Sequence, residues 1–99
     1  MLHGHEPPPE ALDAITVTLA EVLSYLRDGL RPRQIAEKRT VSLATVRSQV
    51  DQLREITGLH SLEALARWWA ANDRAWLAAV ARRARIPLPP LAASESDAV

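Results

Sequence analysis

Apolar positions recur along this chain at intervals of three and four, the period of helices that bury one face. Leu19, Val22, Leu23 and Leu26 form the first stripe, and Gly29 supplies the residue that commonly closes a helix. Thr18, with Glu21 three positions later, has the form of a capping box, so the pattern predicts helix 1 from about Leu19 to Asp28. Pro32 suits the first position of a short helix 2, expected over Pro32 to Arg39 with Ile35 and Ala36 facing inward. Ser42 then caps helix 3, whose stripe of Leu43, Val46, Val50, Leu53 and Thr57 runs to Gly58. Ser61 opens helix 4, which meets no proline before Pro87 and is expected to reach Arg83 or Ala84. At about 1.5 Å per residue, such a helix is roughly 33 Å long, unusual in so small a domain.

The ends read differently. Pro7-Pro8-Pro9 predicts an extended, flexible, proline-rich leader over residues 1–14, with room for one short helical turn from Glu10 to Ala14 before the β-branched run Ile15 to Thr18. Residues 86–99, rich in proline and small polar side chains, read as a disordered tail. Between them, residues 15–85 form one expected domain, all-α, with no room in 99 residues for a separate sensor module.

Composition changes this picture in two ways. The absence of Cys excludes disulfides, thiol catalysis and Cys-ligated zinc, and the absence of Phe leaves a core that is largely aliphatic apart from Tyr25, Trp68, Trp69 and Trp76. Formal neutrality hides an uneven charge distribution: residues 1–26 carry four acids and no base, whereas Arg27 to Arg54 hold seven bases against three acids, a local net of +4. No stretch has the length of a membrane span and the amino terminus lacks the form of a signal peptide, so the expected location is cytoplasmic, with no membrane partner.

Catalysis finds little support. His3 and His5 lie in the leader, His60 stands alone in a turn, and no Ser, His and acid set has a spacing suited to shared work. The reading is a non-enzymatic protein with no catalytic residue, cofactor or metal site, the His-x-His leader included.

The informative stretch is Gly29 to Gly58, a short helix, a tight turn and a longer helix, which is the spacing of a helix-turn-helix. With Leu43, Val46, Val50 and Leu53 inside, Ala44, Arg47, Ser48 and Asp51 face outward and Thr45, Gln49 and Gln52 lie on a flank. Small residues permit close approach to a major groove, hydroxyls and the helix dipole suit phosphate, Arg suits guanine and Gln suits adenine. The competing reading of Arg47 is an exposed ion pair with Asp51, four residues on. Arg33 has a competing reading as a solvated surface residue.

Over about fifty residues the chain resembles the LuxR/GerE-type helix-turn-helix domain of bacterial transcription regulators. Ile15-Thr16 followed by Glu21-Val22-Leu23, the segment Gly29-Leu30-Arg31-Pro32-Arg33-Gln34-Ile35-Ala36, the run Val41-Ser42 with Thr45-Val46-Arg47, and Thr57-Gly58-Leu59 with Glu63-Ala64-Leu65 carry the likeness. The resemblance places the first cap at Thr16 rather than Thr18. It implies a four-helix domain in which helix 3 enters the major groove, helix 2 braces it and helix 4 forms a dimer contact. Carried over by position, Arg33 and Thr45 meet phosphate, Arg47 and Gln49 lie in or beside the groove, and Ser48 and Gln52 are secondary contacts. Arg31 stands where the family has a capping Ser, Asp51 puts a negative charge on the groove side, and Ile56 stands where Lys is frequent.

Helix 4 extends past the expected core. Leu65, Trp69, Trp76 and Val80 share a face, and leaving Trp76, Leu77 and Val80 in water forgoes about 1.5–3 kcal/mol each. The preferred reading is a homodimer through this face; the alternative is a leader or tail folded back over the tryptophans. The function expected is a dimeric, sequence-specific regulator of transcription bound to double-stranded DNA. Its rival is a protein-interaction module that binds another regulator or RNA polymerase with little or no DNA contact. A sigma-factor region is a more distant reading.

Overall fold

The computed structural model describes residues 6–84, and over them the chain is helical with no strand. A 3-10 helix, Pro9–Ala14, precedes four α-helices: α1 Val17–Arg27, α2 Pro32–Arg39, α3 Leu43–Thr57 and α4 Leu62–Ala84. No helix is long and apolar enough to cross a membrane among the described residues. His3, His5, Arg85 and the tail from 86 onward lie outside the described residues.

All four α-helix starts follow local chemistry, three of them where the pattern put them. Pro32 occupies the first turn of α2, and the backbone N–H of Arg31 donates to Gln34 Oε1 at 2.8 Å, closing the end that a Ser would otherwise cap. Ser42 Oγ accepts from the N–H of Thr45 at 3.0 Å, and Ser61 Oγ from that of Ala64 at 3.0 Å. The start of α1 differs from the pattern-based expectation at Thr18. Thr16, in extended conformation, accepts from Leu19 N–H at 3.2 Å, while Thr18 is already inside the helix. The Thr18–Glu21 box does not form, because Thr18 is not the N-cap, and Glu21 accepts from Arg39 instead.

Helix ends show the complementary chemistry. Gly29 at φ +94° ends the turn after α1, where Leu30 N–H reaches Tyr25 carbonyl at 3.0 Å. Thr40 closes α2 at φ 56°, ψ 49°, left-handed backbone for a β-branched residue, with Val41 N–H bonded to Ala36 carbonyl at 3.0 Å.

The core is built where the stripes meet. Leu19, Val22, Leu23 and Leu26 of α1, Ile35 and Ala36 of α2, Val46, Val50 and Leu53 of α3, and Leu65 and Trp69 of α4 are buried together with Ile15. The most extensive helix pair is α1 on α4, followed by α2 on α3. The segment Pro9–Ala14, expected within the flexible leader, instead packs against α4 and α3 and buries Ala11.

That segment decides the fate of α4. Trp76 Nε1 donates to the Ile15 carbonyl at 2.8 Å, its ring meets Trp69 edge-on at 5.6 Å, and Arg83 pairs with Asp13 at 3.3 Å. Trp69 Nε1 donates to Ser24 Oγ at 3.0 Å, so the indole sits between α1 and α4 with its polar atom satisfied. The polar interruption at Asn72 and Asp73 is equally accounted for: Asn72 donates to the Trp68 carbonyl at 2.8 Å, and Asp73 pairs with Arg27. Leu65 and Trp69, two residues of the expected dimer contact, lie within this packing. These side chains are 0% and 2% exposed in the single chain, so no second copy has access to them. Trp76 and Val80 are half-buried, and Leu77 is the exposed large apolar residue of α4.

Candidate nucleic-acid interface

The unit that presents the candidate residues is α2, the turn Thr40 to Ser42, and α3. Its rigidity begins with the aliphatic back of α3: Val46 and Leu53 are fully buried and Val50 nearly so, which fixes the rotation of the helix about its axis. Ala44, Thr45, Arg47, Ser48, Asp51 and Gln52 are consequently exposed, as is Arg33 on α2. Arg33 borders a shallow notch at the helix-helix corner together with Thr40, Ser42 and Leu43. Thr45 is partly committed, since its hydroxyl lies 2.9 Å from Ser42 Oγ in the cap itself.

Ion pairing sorts the basic segment in a way that charge counting does not. Of its seven cations, four are engaged: Arg27 with Asp73 and Asp28, Arg31 with Glu63 at 3.3 Å, Arg39 with Glu21 at 3.0 Å, and Arg54 with Asp51 at 3.0 Å. Among the described residues Arg33, Lys38 and Arg47 have no ion-pair partner. All three stand exposed on the helix-turn-helix unit. The competing reading, an Arg47–Asp51 pair, is not what forms: Asp51 pairs with Arg54, three residues on, and Arg47 is exposed. Glu63, in the first turn of α4, is held below the ordinary carboxylate value of 4.5, chiefly by its own backbone N–H and then by the Arg31 guanidinium.

Gln49, expected in or beside the groove, is less open than its neighbours Arg47 and Ser48. It is half-buried, and its Oε1 accepts from Arg39 Nη1 at 2.8 Å. Arg39 in turn donates from Nε to Glu21 Oε1 at 3.0 Å, with only 13% of its side chain exposed. One guanidinium thus joins α1, α2 and α3. Arg39 and Lys38 were not singled out by sequence pattern, and Glu21 only for a capping box and a motif position, although a signal for Arg39 exists. It lies four residues after Ile35 on the buried side of α2, where an arginine requires acceptors.

Among the described residues no group of three or more His, Cys, Asp or Glu is placed to hold a metal. No protein-family model matches the chain, and neither a curated protein nor a solved structure matches it significantly.

Proposed function

We propose that this chain is a non-enzymatic, sequence-specific binder of double-stranded DNA that regulates transcription, a helix-turn-helix domain similar in plan to the LuxR/GerE type, with α3 as the recognition helix. The observation that carries the reading is the set of unpaired cations. Among the described residues Arg33, Lys38 and Arg47 have no ion-pair partner and stand on one supersecondary unit, while the other four cations of the basic segment each pair with an acid. Arg47, Ser48 and Gln52 supply direct base contacts, and Arg33, Lys38 and Thr45 supply phosphate contacts. Capping by Ser42 and burial of Val46, Val50 and Leu53 hold this face.

Two copies would set two recognition helices on half-sites one helical turn apart. Pairing through α4 has only Leu77, Val80 and the open rim of Trp76 to use, because Leu65 and Trp69 are enclosed. A second reading, docking on another regulator or on polymerase, is favoured by Val17 and Leu77, the large apolar side chains that remain exposed at 72% and 41%.

Selection from a random duplex pool, followed by affinity measurement across salt concentration, separates the two. The two open cations placed on phosphate, Arg33 and Lys38, give a log–log salt slope of about −2 per chain, at about −0.9 per phosphate neutralised, and Arg33→Ala reduces its magnitude by about one. Arg47→Glu abolishes enrichment while leaving the helical circular dichroism intact. Capture of a protein with no salt dependence and no enriched sequence would overturn the DNA reading.

A further inference from the structure

The Glu21–Arg39–Gln49 chain does more than tie three helices together. A guanidinium only donates, so the Gln49 amide has its oxygen turned towards α2 and Arg39. Its Nε2 has no hydrogen-bond partner among the described residues, and no buried side-chain nitrogen or oxygen there lacks one, so Nε2 is not sealed from solvent. Gln49 follows Thr45 by one helical turn and precedes Gln52 by one, and both of these neighbours are exposed. The amide is therefore held with its donor outward and its acceptor inward.

An unrestrained glutamine recognises adenine by using both edges of its amide, the oxygen accepting from N6 and the nitrogen donating to N7. With the oxygen turned inward and one of its two lone pairs taken by Arg39, that bidentate pair is disfavoured. We propose that Gln49 is a specificity-determining residue that acts only as a donor, selecting guanine, whose O6 and N7 are adjacent acceptors in the major groove, and disfavouring adenine. Arg39 is the positioning residue that enforces the choice, and Glu21 orients Arg39. This inference rests on the DNA-binding reading above.

The test compares sequence motifs enriched from a random duplex pool by the whole chain and four variants. The unaltered chain enriches guanine at one position that Gln49→Ala makes indifferent. Gln49→Glu keeps a partner for Arg39 but has no donor, and it shifts that position to cytosine, whose N4 amino group donates. Arg39→Leu frees the amide oxygen and shifts the same position towards adenine by roughly 5- to 150-fold, the discrimination expected of a bidentate pair. Glu21→Gln, which leaves the Arg39–Gln49 bond in place, retains guanine. Failure of the unaltered chain to enrich any sequence would remove the underlying reading. A motif identical in the unaltered chain, Gln49→Ala and Gln49→Glu would leave DNA binding standing and overturn the role assigned to Gln49.

Discussion

Replacing Trp76 by Phe isolates the contact that decides whether the long helix closes on its own chain or on a second copy. The substitution keeps an aromatic ring against Trp69, 5.6 Å away edge-on, and removes the N–H that donates to the Ile15 carbonyl at 2.8 Å. Ile15 is 2% exposed, so its backbone acceptor has limited access to water once the indole is gone. The loss amounts to about 1 kcal/mol, the usual net worth of such a bond. For a domain of this size that lowers Tm by about 4–8 °C. Thermal unfolding followed at 222 nm reads the shift, and sedimentation equilibrium reads the mass in parallel. The mass is the same for Trp76→Phe as for the unaltered chain, since a contact within one chain has no mass-action term. An unchanged Tm together with a halved mass would refute the argument and return Trp76 to a subunit interface.

Other substitutions probe the helix ends and one surface pair. Thr40 occupies left-handed backbone at φ 56°, a conformation costing a non-glycine residue roughly 1–2 kcal/mol, so Thr40→Gly raises stability by about 0.5–1 kcal/mol in urea titration after the greater freedom of unfolded glycine is allowed for. Ser42→Ala removes the acceptor for Thr45 N–H and lowers stability by about 1 kcal/mol in the same assay, with the m-value unchanged. Arg31→Ala raises the Glu63 pKa towards 4.5, measured from carboxyl shifts by NMR, but leaves the part of the depression that comes from the backbone N–H. Because the folded-state value is depressed, whatever Glu63 adds to stability is present above the unfolded value and is lost as pH falls through the folded one.

How far the fold was legible depends on the reach of each interaction. Pro32, Ser42, Gly58 and Ser61 act on backbone groups a few residues away, and they delimit α2, α3 and the start of α4 where the pattern put them. Thr18 misled because Thr16 and Thr18 both precede an apolar stripe, and only the fold shows that Glu21 is engaged by a residue 18 positions away. The exposed set on α3 was legible for the same local reason, since burying Val46, Val50 and Leu53 leaves one direction for Arg47, Ser48 and Gln52.

What the chain's order of residues determined by itself is the all-helical plan, the three-residue turn between α2 and α3, and the polar face of α3, because periodicity and capping are properties of segments a few turns long. Tertiary structure alone decided which cations remain open, which way the Gln49 amide is turned, and what covers the tryptophans. The partners of Arg31, Gln49 and Trp76 lie 32, 10 and 61 residues away, and such pairs are brought together by core packing that no local spacing encodes.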